Sequence, residues 1–316
     1  MIFLRSIDLG ILVTVTYCNL IVCITVSYGP LVSDGRPFGV KGQFLTTISQ
    51  TYTINNDNNA RSWKPVPAPD IAANYSLNQQ IGRRWLDQAE GEHASIASFA
   101  RHTLQLVSIG APSVLLRNAQ DAAIDEIRHA KTCYGIAGAF IGSDFKPGPL
   151  DVEKSLESLD LQNIAKSIIE EGCIEETISA VLGKFGSSTA KDPEIKTASS
   201  QIVLEETNHA QLAWDTIQWI TKKFPGSRSF IDDTFHTEIQ TRLDAITNML
   251  AFNTIDSCHD FDADNIFRGC GLVVDKDRNK IRQAAIQRII SPLFNTGLEN
   301  ANFISKQIAQ LDLSQI

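Results

Sequence analysis

No CxxC pair occurs among the six cysteines, so neither a zinc ribbon nor a thioredoxin-like redox site is encoded. Positive charge is also in deficit. Twenty-eight Lys and Arg stand against 36 Asp and Glu, a formal net charge of −8, which argues against the basic face of a nucleic-acid binder. No flavin or nicotinamide fingerprint is present, so redox chemistry would draw its electrons from a separate partner. Beyond residue 78, proline and glycine are sparse inside long runs, and nothing reads as a strand-rich sheet. What remains is an ordinary globular composition, 43% hydrophobic and 20% charged over 316 residues, enough for one large domain or two small ones.

Residues 9 to 27 (LGILVTVTYCNLIVCITVS) carry no charge and follow a lone Arg5. The run predicts an export signal, either cleaved (secreted or periplasmic protein) or kept as a membrane anchor, with membrane contact only through this segment; the alternative is a buried core strand opening a cytosolic domain. Cys18 and Cys23 lie inside it. Residues 28 to 76 lack a sustained period and hold SQTYTINNDNNA and KPVPAPD, which predicts a poorly ordered linker with a short strand around Phe38 to Leu45. Asn74-Tyr75-Ser76 is a glycosylation sequon, usable in a eukaryote.

Apolar residues then recur at helical spacing. The pattern predicts helices over about 77–110, 112–142, 153–186 and 192–224, the last stopped by Pro225-Gly226, with FKPGPL breaking the chain at 145–150. A short first loop, a longer crossing and a short third loop predict an all-α four-helix bundle over 77–226. A C-terminal helical extension follows over 227–316, with helices near 229–254 and 277–312.

Glu126-Ile127-Arg128-His129 and Glu206-Thr207-Asn208-His209 are both ExxH, a spacing that projects an oxygen and a nitrogen ligand from one helix face. One ExxH is weak, and Glu90 to His93 fits it too. The repeat carries the signal. Upstream of each pair lies a helix with an inward Glu among small and apolar residues: Glu92 in EHASIASFA and Glu176 in ETISAVLG. Two such hairpins supply four Glu and two His, the ligand set of a carboxylate-bridged dimetal site. On the first helix Glu92 shares a stripe with Trp85, Ala89, Ile96 and Phe99. Glu90 lies about 200° away, toward solvent, and His93 at the margin. On the third helix Glu176 lies among Ile169, Cys173, Ala180 and Gly183, but Glu175 shares a stripe with Ile168, Ile178 and Leu182, and Glu171 is a third candidate.

The segments AEGEHASIASFARHTLQL, AAIDEIRHAKTC, EGCIEETISA and LEETNHAQLAW resemble the four helices of the ferritin-like dimetal-carboxylate superfamily. More narrowly they are similar to uncharacterised exported ferritin-like proteins with EHAS and DEIRHA segments. The resemblance covers residues 80 to about 220, with GRPF at 35–38 and the tail as weaker support. It implies Glu92, Glu126, His129, Glu176, Glu206 and His209 as ligands of two divalent ions, iron first, manganese or a mixed pair otherwise. It also implies that Asp125 supports His209 and Glu205 supports His129, with Arg128 offsetting local negative charge. Asp125 to His129 matches the superfamily's DExRH; the second copy departs from it, with Glu205 for Asp and Asn208 for Arg.

Cys133 and Cys173 fall close to the ligand layer, either as one disulfide or as two buried free thiols; Cys258 and Cys270, flanking HDFDADNIFRG, are candidates for another disulfide. DFDAD lacks the remaining EF-hand positions and reads as a solvated loop. His102, ten residues past Glu92, could face the core but reads first as a surface residue, and His236 and His259 have no metal-ligand company.

The resulting expectation is an O2- or peroxide-dependent oxidoreductase with an unknown organic substrate and an external electron donor. The rivals are an iron-binding, ferroxidase-type metal-handling protein and a helical interaction module with a vestigial site. The targeting run and a tail of about ninety residues fit poorly into a storage cage subunit.

Overall fold

The structure, a computed structural model, describes residues 2–5, 11–18, 21–28, 38–40, 43–45, 47–52 and 74–314, the last without 154, 157–158, 254–260 and 297–303. Residues 1–33 and 34–316 form two units.

In the first unit, β1 (Ile2–Arg5), β2 (Ile11–Cys18) and β3 (Ile21–Tyr28) make an antiparallel sheet, with Ile2 opposite Val15 and Ile11 opposite Tyr28. The uncharged run is rich in Val, Ile and Thr, whose branched Cβ favours extended backbone, and its described part is strand. Among the described residues, no helix is long and apolar enough to cross a membrane.

The second unit is mostly helical, and side-chain caps mark where three of its helical segments begin. Asn74, the sequon asparagine, accepts the Leu77 N–H at 2.9 Å to start α1 (Tyr75–Ser108). α2 (Ser113–Ile141) stops at Gly142, whose φ of 78° is left-handed and whose N–H reaches the Gly138 carbonyl at 2.8 Å. Asp160 caps the third segment by accepting from Asn163 N–H at 3.0 Å. This segment runs through α3 (Leu161–Ser167), a π-helical stretch (Ile168–Glu176) and α4 (Thr177–Thr189). α5 (Pro193–Lys223) starts with Asp192 accepting from the N–H groups of Glu194 and Ile195, both at 2.9 Å, and ends on Lys222 and Lys223, which complement its dipole.

The tail differs from its expected form. α6 (Arg228–Asn253) is followed by α7 (Phe261–Gly269), where the sequence pattern predicts a loop. Asp262 and Asp264 sit in the first turn of α7, favourable for the dipole, and Asp264 pairs with Lys276 while Arg268 reaches Asp277 at 2.7 Å. The expected helix over 277–312 is divided into α8 (Asp275–Ala285), a π-helical turn (Ile286–Ile290), α9 (Ser291–Asn295) and α10 (Ile304–Gln310).

The two largest of three apolar clusters join most of these elements. In one, Trp214 of α5 stacks on Phe235 of α6 at 5.3 Å, and Phe235 on Phe294 of α9 at 4.9 Å, which joins the tail to the third segment and α5. Each such side chain stabilises by about 1.5–3 kcal/mol when fully buried. In the other, Trp85, Leu86, Tyr134 and Phe140 pack α1 against α2, with Phe145 and Leu272 at the edge.

The strand expected near Phe38 is a hairpin of β4 (Phe38–Val40) and β5 (Gln43–Leu45). β6 (Ser49–Tyr52) pairs with β7 (Asp144–Pro147), Thr51 opposite Phe145, where the sequence reads as linker and helix break. GRPF lies outside the described residues except for Phe38.

Candidate metal centre

Six side chains from four helical segments meet in one layer: Glu92 from α1, Glu126 and His129 from α2, Glu176 from the end of the π-helical stretch, and Glu206 and His209 from α5. None is more than 4% exposed. They fall into two overlapping sets, Glu92, Glu126, His129 and Glu206, and Glu126, Glu176, Glu206 and His209. Within each set one ligand atom per residue lies within 4.8 Å of the others, and each set could hold a metal ion. Glu126 and Glu206 belong to both.

The contacts inside the layer join nitrogen to oxygen. His129 Nδ1 lies 3.1 Å from Glu206 Oε1 and 3.5 Å from Glu92 Oε2; His209 Nδ1 lies 3.1 Å from Glu126 Oε1. Both oxygens of Glu126 and of Glu206, Oε2 of Glu92 and Nδ1 of both histidines have no hydrogen-bond partner among the described residues. Buried polar atoms without partners cost about 1–3 kcal/mol each, more when charged. Here they converge on a common space, as a bound cation requires. The donors are carboxylate oxygens and imidazole nitrogens.

A second ring of groups fixes the imidazoles. His129 Nε2 lies 2.8 Å from Glu205 Oε2, and His209 Nε2 lies 3.2 Å from Asp125 Oδ2. With Nε2 engaged outward, Nδ1 is the nitrogen turned to the layer. Arg128, half-exposed, donates to Glu205 at 2.9 Å and also to Asp125. One guanidinium thus serves both carboxylates, and Asn208, at the position where a second Arg would stand, is exposed.

Electrostatics follow from burial and crowding. Burial pushes the Glu92 carboxyl well above its usual range, with Glu126 and Glu206 adding to the rise. Burial acts the same way on Glu126, but His129 and His209 more than offset it and hold that carboxyl well below the usual range. Burial disfavours charge on the imidazoles, yet Asp125 and Glu126 raise His209 to about 9, and Glu126, Glu205, Glu206 and Glu92 raise His129 well above its usual value. Burial would also raise Glu205, but His129, Arg128 and Gln201 bring it down to about 2.

The neighbouring glutamates have other partners. Arg101 of α1 donates to both oxygens of Glu171 at 2.5 and 2.6 Å, and Ser98 to one at 2.8 Å. Arg242 of α6 and Arg282 of α8 hold Glu175 at 2.8 and 3.0 Å. Glu90, expected in solvent, is half-buried and accepts from Ser49 N–H at 2.9 Å and from its hydroxyl, which ties β6 to α1. His102, expected at the surface, is fully buried, and His93 is half-buried beside the layer. His236 is exposed, edge-on to Phe294 at 4.9 Å.

The cysteine expectation is corrected. Cys133 is a buried free thiol with no bond to Cys173, and the two belong to different apolar clusters. Cys270 is also a buried free thiol, while Cys258 and His259 lie outside the described residues.

Beside Glu92 and Glu206 lies a cavity of about 40 Å³, walled by Trp85, Cys133, Gly183, Ser199 and Gly271 among others. A water needs at least about 10–15 Å³ by this measure, so the space suits one to a few small molecules. Arg101, Arg242, Arg282 and Ser49 were not visible as participants in the sequence. Their partners lie 41 to 107 residues away, and no local spacing announces such pairs. No family model, curated protein or solved structure matches the chain.

Proposed function

We propose that the chain is a ferritin-like bundle protein that carries two divalent ions, iron or manganese, and acts as an O2- or peroxide-dependent oxidoreductase. The carrying observation is the sharing of Glu126 and Glu206 between two otherwise separate sets of ligands. Glu92 with His129 would serve one ion and Glu176 with His209 the other. Two divalent ions would bring four carboxylates and two neutral imidazoles to zero formal charge, which removes the cost of burying so much unbalanced charge.

Such ions, when bound, supply electron transfer to or from dioxygen or peroxide. The chain's own groups hold and insulate them. Glu205 and Asp125 fix the imidazoles, Arg128 balances these two acids, and Phe99, edge-on to His209 at 4.9 Å, keeps water from that side. Electrons would come from an external donor.

One observation favours a narrower reading, metal oxidation or handling without an organic substrate: the cavity beside the ligands suits small molecules. Elemental mass spectrometry on the full chain, beside a Glu126→Ala/Glu206→Ala double variant, tests the shared premise. Near two iron or manganese per chain, lost in the variant, supports it, and no metal after reconstitution with either ion overturns it. Loaded protein is then given hydrogen peroxide and a bulky organic hydroperoxide. Reaction with the first alone favours the narrower reading, and equal reaction with both the organic one.

A further inference from the structure

The π-helical stretch buries three glutamates within six residues: Glu171, Glu175 and Glu176, none more than 6% exposed. Burying three carboxylates on one helix requires a different answer for each. Glu171 is answered by Arg101, and Glu176 belongs to the ligand layer. Glu175, next in the chain to Glu176, is answered from the tail. Arg242 Nε donates to its Oε1 at 2.8 Å, and Arg282 Nη2 to its Oε2 at 3.0 Å. Arg282 is 7% exposed, and Arg242 is braced by Glu238, one turn earlier on α6.

Both guanidiniums come from the C-terminal extension, one from α6 and one from α8. They therefore fix the rotation of the π-helical stretch about its axis from outside the four ligand-bearing segments. Where hydrogen bonds span five residues instead of four, the turn is wider and the backbone register less constrained than in an α-helix. Adjacent residues cannot share one direction, so with Glu175 pinned to the tail its neighbour Glu176 is turned toward His209.

We infer that Arg242 and Arg282 are positioning residues: by holding Glu175 they place Glu176 as a ligand, which makes the C-terminal extension part of the metal centre. This rests on the dimetal reading above. Its effect is confined to one of the two sets, since Glu176 belongs only to the one containing His209.

The test loads the full chain with ferrous iron without oxygen, then measures iron per chain and the affinity of each ion by chelator competition. The variants are Glu175→Gln, nearly isosteric, and the triple Glu175→Leu/Arg242→Leu/Arg282→Leu, which removes all three buried charges together. His129→Ala and His209→Ala variants identify which ion is which, and the melting temperature of metal-free protein reports folding. The expected result is two ions in the parent chain. In Glu175→Gln, which leaves buried guanidinium charge uncompensated and so lowers the metal-free melting temperature, the ion of the His209 set weakens about tenfold or more in folded protein while the ion of the His129 set is retained. The triple variant, where folded, gives the same split. Parent-like affinity of both ions in a folded variant overturns the inference and leaves the dimetal reading intact. No metal in the parent chain, with iron or with manganese loaded in its place, overturns the dimetal reading, and this inference with it.

Discussion

His129 points its two ring nitrogens at different carboxylates: Nε2 lies 2.8 Å from Glu205 Oε2, and Nδ1 lies 3.1 Å from Glu206 Oε1. Consecutive residues of α5 thus grip opposite edges of one imidazole on α2, one orienting it and the other offering a ligand beside it. Replacing Glu205 by Ala removes the orienting contact and leaves every ligand in place. Metal affinity should fall about ten- to a hundredfold, measured by chelator competition, with helix content unchanged.

The shared position of Glu126 sets it apart from Glu92. Glu126→Ala removes a ligand from both sets, whereas Glu92→Ala spares the set containing Glu176 and His209. Elemental mass spectrometry should give close to no metal for the first variant and close to one ion for the second. Equal losses in both would sink the assignment of Glu126 as a shared ligand.

How much of this was legible in the sequence depended on which interactions are local. Glu92 could be preferred over Glu90 because α1 keeps a regular α-helical phase, so the 200° offset holds. The same arithmetic left Glu171, Glu175 and Glu176 open, because those residues lie in the π-helical stretch, where the phase departs from 100° per residue. The arginine partners of Glu171 and Glu175 are 67 to 107 residues distant, beyond any periodicity. Glu90 looked like a solvent residue because its partner Ser49 sits on a strand formed by pairing with residues 144–147. That strand is held by backbone bonds to distant sequence, and turn residues nearby mask it. The tail was read as helical, but α7 was missed because its Asp-rich start resembles a loop as much as a helix N-terminus.

The metal-free protein should lose stability as the pH is raised. Burial disfavours the His209 cation, but Asp125 and Glu126 reverse that and raise its pKa to about 9 from 6.5. A raised imidazole stabilises the fold fully below about 6.5, and that contribution is lost as the pH climbs through about 9. Nδ1 must be neutral to bind a metal, so loading should also release protons and tighten over the same window. Melting curves of chelated protein between pH 6 and 10 test the first effect, and proton release in weak buffer the second. A melting temperature that rises across the window would contradict both.

Cys133 should be inert until the protein unfolds. Burial pushes its thiol well above the usual range, and the nearby Glu92 adds to the rise, so the reactive thiolate is scarce. Iodoacetamide should label Cys133 in denaturant and leave it unlabelled in native protein, as read by peptide mass spectrometry. A Cys133–Cys173 peptide pair under non-reducing conditions would contradict the free thiol at Cys133.

Gly271 and Gly110 separate two costs of the same substitution. Both are left-handed, with φ of 77° and 69°, a conformation that costs a residue with a Cβ roughly 1–2 kcal/mol. A Cβ at Gly110 would meet nothing within 4 Å, whereas at Gly271 it would lie 2.8 Å from Ile195 Cγ2 and 3.5 Å from Trp85 in the cavity wall. Gly110→Ala should therefore cost only the backbone term. Gly271→Ala should cost about 1–3 kcal/mol more, because Ile195 is fully buried and has little room to yield. Denaturant unfolding of the two variants measures the difference directly. Equal costs would mean that the turn at Gly271 relaxes away from α5, and that the cavity wall there is not fixed by packing.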